Sequence, residues 1–182
     1  PERPNVVIIF ADDMGYGDVS SNNPRARTKT PHIDNLGKTG ICFTNAHAGG
    51  ALCTPSRYGL LTGRYFFRVP KQKGSWGYFP PLIEAGRETI GSLMQKAGYT
   101  TACIGKWHLG LDWKLKDPSK PQVPEANGTA FTNPDFSRTV GNGPNALGFD
   151  YSFILPASLD MPPYVFVKND RVVDPDVILT AE

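Results

Sequence analysis

Thr89-Ile90-Gly91-Ser92-Leu93-Met94-Gln95-Lys96-Ala97-Gly98-Tyr99-Thr100-Thr101-Ala102-Cys103-Ile104 reads as a helix that runs straight into a strand. Thr89 is a capping residue, and Ile90, Leu93, Met94 and Ala97 share one face at helical spacing. Gly98 is a C-terminal stop, and Tyr99 to Ile104 has the composition of a strand. A helix followed at once by a strand is the rhythm of an α/β sheet with helical connections.

Working outward toward the N-terminus, Asn5 to Ala11 (NVVIIFA) is a continuous apolar run ending in Asp12-Asp13. It is too short for a helix and predicts a strand buried on both faces. Met14 to Asp18 reads as a loop, Pro31 to Lys38 as a short helix with Ile33 and Leu36 on an apolar side and Gly40 as its stop, and Ile41 to Ala46 as a second strand. Thr54 to Thr62 reads as a helix with Thr54 as cap and Pro55 in its first turn. Toward the C-terminus, Leu111 to Pro144 is rich in Pro, Asn and Gly and reads as an irregular surface insertion. Strand material resumes at Phe149 (FDYSFIL), and Tyr164 to Val173 alternates around Asn169-Asp170 as a hairpin.

The chain has 182 residues and a formal net charge of +2. Leu, Ile, Val and Phe make up roughly a quarter of it, above the ~20% floor of globular chains. Gly and Pro, 19 and 17, exceed the average, so loops are abundant. The near-neutral balance excludes a nucleic-acid footprint, and no apolar run approaches the ~20 residues of a membrane span. The opening runs from Pro1-Glu2-Arg3-Pro4 straight into strand material without a leader, as expected of a mature exported chain. Three cysteines (Cys42, Cys53, Cys103) leave at least one thiol unpaired. Cys42 and Cys103 lie in apolar runs and are expected as core thiols. His32 and His47 read as structural, Trp76, Tyr78 and Phe79 as loop packing or a sugar-facing rim, and Lys71 and Lys73 as a solvated face. Asn127-Gly128-Thr129 fits a glycosylation acceptor.

Two constellations carry chemistry. Asp12-Asp13 stands at the carboxyl end of a predicted strand, where ligands bind in open α/β sheets. Adjacent carboxylates invite a hard cation, Ca²⁺ or Mg²⁺; the alternative is a helix cap beside a solvated turn carboxylate. Cys53-Thr54-Pro55-Ser56-Arg57 places a thiol before a predicted helix N-terminus, with Arg57 one turn on. That is a setting for an activated nucleophile or an anion, unless Cys53 is a small packed residue beside a structural Arg57.

Cys53-Thr54-Pro55-Ser56-Arg57 followed by Leu61-Thr62-Gly63-Arg64 resembles the signature of the type I sulfatases, formylglycine-dependent enzymes of the alkaline phosphatase superfamily. Asn5 to Asp18 (NVVIIFADDMGYGD), Thr30-Pro31-His32-Ile33-Asp34, Gly98-Tyr99-Thr100-Thr101, Gly105-Lys106-Trp107-His108-Leu109-Gly110 and Gly148-Phe149-Asp150 ahead of Ser158-Leu159-Asp160 are similar to further segments of that family. The resemblance implies a mixed, mostly parallel sheet flanked by helices on both faces, incomplete here. It implies conversion of Cys53 to formylglycine by a maturation enzyme, and hydrolysis of a sulfate ester on a sulfated glycan or small molecule. The hydrated aldehyde would attack sulfur with a divalent metal, Ca²⁺ or Mg²⁺, as Lewis acid. The resemblance assigns Asp12, Asp13 and residue 53 to the metal, Arg57 and Lys106 to charge at the reacting group, and His108 to proton transfer. Ser158 and Asp160 would reach substrate. It further implies a periplasmic, extracellular or lysosomal setting. A second half with more metal ligands is expected outside these residues, so that the 182 residues alone would be inactive or weakly active. A phosphodiesterase or phosphonate hydrolase of the same superfamily, or a non-catalytic fragment, are the alternatives.

Overall fold

The structure, a computed structural model, describes residues 3–69, 78–122 and 133–176. The chain forms two compact units, one ending at His47 and one starting at Ala48. Lys71, Lys73, Trp76 and Asn127-Gly128-Thr129 lie outside the described residues.

In the first unit, the expected strands at 5–11 and 41–46 do not form. Exposure from Val6 to Phe10 runs 57, 81, 52, 89 and 42%. This alternation is the two-residue period of extended backbone, but every side chain stays open to solvent. An apolar run becomes a strand only when a neighbour supplies a hydrogen-bonded ladder, and among the described residues of the first unit no strand offers one. Helix α1 (Pro31–Thr39) forms as expected, with Pro31 at its first position and the Gly40 N–H closing on the Leu36 carbonyl. Its apolar side, Ile33 and Leu36, is exposed. What fixes α1 is polar. Asp34 accepts from the Ser20 hydroxyl at 2.6 Å, the Thr30 hydroxyl at 2.9 Å and the Ser21 N–H at 3.0 Å. The Ser20 bond leads in holding the Asp34 carboxyl below its ordinary range, against the pull of partial burial.

The second unit is built on the predicted helix–strand stretch. Helix α2 spans Cys53–Thr62 and α3 spans Ile90–Lys96. The Thr89 hydroxyl accepts from the Ser92 N–H in a reciprocal capping box, and Gly98 takes φ 83° at the exit. Strand β1 (Ala102–Lys106) pairs in parallel with β2 (Tyr151–Leu155). β2 pairs antiparallel with β3 (Val167–Lys168), and β3 with β4 (Arg171–Val172), giving a mixed sheet in the order β1-β2-β3-β4. The β3–β4 hairpin turns at Asn169, φ 55°, as its sequence predicts. One sheet face, carrying Ile154, Val167 and Val172, is buried against Tyr58, Trp107, Leu109 and Trp113. On the other face Ile104 is 73% exposed. Each buried aliphatic side chain here contributes roughly 1.5–3 kcal/mol.

The stretch 111–144 is irregular, with bridges Asp112–Gly141 and Leu115–Pro134 as its ladder contacts among the described residues. It is not purely surface. Leu111, Trp113 and Val140 sit in the core, and the Gln122 amide donates to the carbonyls of Tyr78 and Leu111 at 2.7 Å each. A Pro- and Asn-rich composition excludes regular ladders, not burial.

The junction of α3 with the sheet is the tightest point. Gly148 adopts φ 93°, and a Cβ there would lie 2.2 Å from the Ser92 nitrogen and 2.4 Å from its Cα. Beside it, Asp150 accepts from the Thr101 N–H at 2.8 Å and the Thr101 hydroxyl at 3.0 Å. Gly148→Ala is expected to cost about 3 kcal/mol or more, from positive-φ strain plus backbone overlap, measured as a lowered denaturant midpoint.

Candidate active site

The parallel pair β1 and β2 ends on one side, and Lys106, His108, Cys53 and Arg57 of the second unit are brought to that carboxyl end. The ladder continues past β1: the Trp107 N–H donates to the Leu155 carbonyl at 2.9 Å and the His108 N–H to the Pro156 carbonyl at 3.0 Å. Lys106 and His108 are thereby fixed in register with the segment that leads to Ser158 and Asp160. His108 is buried and holds φ 56°, a left-handed conformation that histidine tolerates better than most residues.

Helix α2 meets this end with its N-terminus. Cys53 is its first residue, rather than preceding it, and Leu52 takes the cap position without a side-chain cap bond. Thr54, expected as the cap, is buried and donates its hydroxyl to the His108 carbonyl at 3.2 Å. It is turned away from the helix start because a buried carbonyl of the sheet needs a donor. Arg57, one turn on, donates Nη1 to the Lys106 carbonyl. The two bonds staple α2 to β1's extension on either side of Trp107. The approach loop is equally close: Ser56 Oγ donates to the Gly50 carbonyl at 2.7 Å, and a Cβ on Gly50 would lie 2.7 Å from that of Pro55.

The result is a half-buried Cys53 with the Lys106 ammonium 3.1 Å from its Sγ. Lys106, Arg57 and the exposed N–H groups of α2 surround residue 53 with positive potential, a setting that favours an anion or a developing negative charge there. Asp160 balances it. Its carboxyl is held below the ordinary range, first by the Ser158 hydroxyl and further by Lys106 and His108. It is therefore ionised at neutral pH. Any stability its contacts contribute is present above that range and is lost as pH falls through the depressed value. Ser158 is buried and bonded to Asp160, so its hydroxyl orients that carboxylate.

Asp12 and Asp13 lie in the first unit, both exposed, with Asp13 at φ 55°. They line a cavity of about 710 Å³ together with Asp18, Arg25, Arg27 and Thr30. Arg25 and Arg27 had no role in the sequence reading, although their alternate spacing in a loop is a readable sign of paired cations. Two carboxylates are the right donor type for Ca²⁺ or Mg²⁺, but Ca²⁺ takes six to eight oxygens. Among the described residues no group of three or more His, Cys, Asp and Glu side chains is placed to hold an ion. The fit is therefore correct in donor chemistry and short in donor number.

The other cysteines divide. Cys42, expected in the core, is exposed because its stretch forms no strand. Cys103 packs against the core from β1, and burial pushes its thiol up to about 11, with Arg57 opposing. At pH 8 iodoacetamide is expected to alkylate Cys42 well before Cys103, read by peptide mass mapping. Raising the pH through 9 lets the unfolded thiol ionise first, so Cys103's contribution to stability falls until about 11. His32 and His47 are exposed, and His47 Nε2 pairs with Asn45 Oδ1 at 2.8 Å.

A sequence profile described as Sulfatase matches residues 4–174. The chain is 40% identical over 175 residues to an N-acetylgalactosamine-6-O-sulfatase of Bacteroides thetaiotaomicron, covering 96% of this chain and 31% of that protein. It is 36% identical over 161 residues to human arylsulfatase G, covering 88% and 25%. A solved structure from a Bacteroides thetaiotaomicron locus for metabolism of multiple glycosaminoglycans superposes with a TM-score of 0.80 at 39% identity, over 97% of this chain and 33% of that one. The chain spans about a third or less of the length of these relatives.

Proposed function

The chain belongs to the sulfatase family, and from that premise we propose that the protein hydrolyses sulfate esters on sulfated carbohydrates, with residue 53 as the reacting group. One observation carries the reading: the Cys53 thiol stands at a helix N-terminus 3.1 Å from the Lys106 ammonium, on the helix whose Thr54 and Arg57 bond the backbone carbonyls of His108 and Lys106. A merely packed cysteine needs no such surroundings. The likeness to an N-acetylgalactosamine-6-O-sulfatase and to a structure from a glycosaminoglycan locus favours a sulfated amino sugar as substrate.

Formylglycine at residue 53 would supply a hydroxyl nucleophile in its hydrated form, and a divalent cation at Asp12 and Asp13 would supply Lewis acidity. The chain's own residues do the rest. Lys106 presents a fixed cation where negative charge develops on a sulfuryl oxygen. Arg57 adds charge from the helix side and, through the Lys106 carbonyl, holds that residue's backbone in place. His108, fixed through its N–H and its carbonyl, holds an imidazole where a proton leaves residue 53. Asp160 limits the positive charge so that product anion can depart. The oxidation of Cys53 by a maturation enzyme, and an exported or lysosomal setting, belong to the same proposal. Among the described residues no helix is long and apolar enough to cross a membrane.

Because the donor set is short, the 182 residues alone are expected to turn over weakly or not at all. In a protein of the relatives' length, sulfated sugars are expected to be hydrolysed at least ~100-fold better than matched phosphodiesters. Equal or inverted preference in side-by-side assays would overturn the sulfatase reading in favour of phosphoryl chemistry.

A further inference from the structure

Trp107 to Leu111 is a run of buried residues that belongs to no helix or strand. Buried backbone outside a ladder must find its partners elsewhere, and here they come from separate parts of the second unit. The Trp107 and His108 N–H groups donate to the carbonyls of Leu155 and Pro156, and the Leu111 N–H donates to the Phe79 carbonyl at 3.0 Å. The His108 carbonyl accepts from the Thr54 hydroxyl, the Leu109 carbonyl from the Leu82 N–H at 2.9 Å, and the Leu111 carbonyl from the Gln122 amide. The Gly110 carbonyl accepts from the Trp107 indole N–H at 2.9 Å. That last bond joins residues 107 and 110 and closes the backbone around His108.

The backbone here is set against its own preference. Gly105, His108 and Gly110 take φ of 101°, 56° and 78°. Glycine carries such backbone freely, whereas a side chain at 108 holds it only because the surroundings impose it. Gly110 is pressed against the segment 79–82: a Cβ on it would lie 2.2 Å from the Pro80 carbonyl oxygen and 2.7 Å from its carbon. Glu84, just beyond that segment, accepts from the Tyr58 hydroxyl of α2 at 2.9 Å, so the same stretch ties the helix of residue 53 to the turn of His108. The His108 imidazole acts on the Asp160 carboxyl together with Lys106, whose ammonium meets Cys53. A shift of the backbone at 108 therefore moves the imidazole relative to that charged group. Taking the reaction from the sulfate-ester reading, on which this rests, we propose that Trp107 is a positioning residue: its indole N–H, by holding the Gly110 carbonyl, keeps His108 in the left-handed backbone that places its imidazole for proton transfer. In this role Trp107 acts through His108 and not on substrate. A tryptophan packed for its ring alone would also seek an acceptor for its N–H; the choice of Gly110 is what closes the turn over His108.

Two measurements test this. In the 182-residue chain, Trp107→Phe is expected to speed hydrogen exchange of the His108 amide at least ~10-fold more than that of the Asn169 amide, which bonds the Ser152 carbonyl in the distant hairpin. An equal rise at both amides, as general destabilisation would give, or no rise at His108, overturns the proposal. In a protein of the relatives' length, Trp107→Phe is expected to lower kcat for a sulfated sugar by about 10–100-fold while KM moves less than ~3-fold. The rising limb of the pH–rate profile stays, because His108 still takes the proton. Placed on His108→Asn, the same substitution is expected to cost less than ~3-fold, since the group it positions is gone. Equal losses on both backgrounds, or an undiminished rate in His108→Asn itself, overturn the proposal. Benzothienylalanine at position 107 keeps the shape of the ring system and puts sulfur where the N–H stood. It is expected to give the same pattern, and it carries both measurements should Trp107→Phe fail to fold. No sulfate-ester turnover by the parent would count against the sulfatase reading instead, and the exchange measurement would still decide whether Trp107 holds residue 108.

Discussion

Cys53→Ala is expected to abolish sulfate-ester hydrolysis, with kcat/KM falling by about 10⁴-fold or more, as for loss of a covalent nucleophile elsewhere. The substitution removes the reacting atom and little else. Cys53 is half-buried, and its thiol meets the Lys106 ammonium. The bonds that seat α2 come from Thr54 and Arg57, which remain. The variant should therefore keep its thermal midpoint and its substrate affinity while losing turnover. Residual activity within ~10-fold of the parent would assign the chemistry to another group. The assay belongs in a protein of the relatives' length, where the remaining donors are supplied.

His108→Asn is expected to give the second-largest loss, roughly 10²–10⁴-fold in kcat, the usual contribution of a positioned general acid–base group. Asparagine is chosen because it tolerates the left-handed backbone that His108 adopts at φ 56°. The bonds from the Thr54 hydroxyl and to the Pro156 carbonyl involve backbone atoms of residue 108 and survive. His108→Ala adds about 1 kcal/mol of backbone strain to the same chemical loss, so the pair separates chemistry from stability. The pH–rate profile gives the decisive readout. A group that accepts a proton works in its neutral form, so the parent rate rises with pH through that group's titration. In His108→Asn that rising limb should flatten. A variant that is slower but keeps the limb would make His108 structural and pass proton transfer to another residue.

What was legible in the sequence was local. Thr89, Gly98 and Asn169 carry their signals in their own side chains or in the lack of one, and each does what its type predicts. Arg57 one helical turn from Cys53 was readable from spacing, whereas bringing Lys106 and His108 to the same place rested on the family resemblance of their motif. What was not legible depends on partners far along the chain. NVVIIFA has the composition of a buried strand, yet the first unit offers it no ladder, so Cys42 and the apolar run before Asp12 lie in solvent. Thr54 has a capping side chain but answers a stronger demand, the carbonyl of His108 fifty-four residues away. Trp113 and Val140 are buried inside a stretch whose prolines and asparagines advertise a surface. Local propensity sets which conformations are cheap; non-local pairing decides which are used.

The most direct test of the account is the mass of the tryptic peptide Thr39–Arg57, which carries both Cys42 and Cys53, from active protein produced alongside its maturation enzyme. A loss of about 18 Da is expected at residue 53, sulfur replaced by oxygen with two hydrogens removed, with Cys42 unchanged. An intact thiol at residue 53 in protein that turns over sulfate esters at full rate would contradict it.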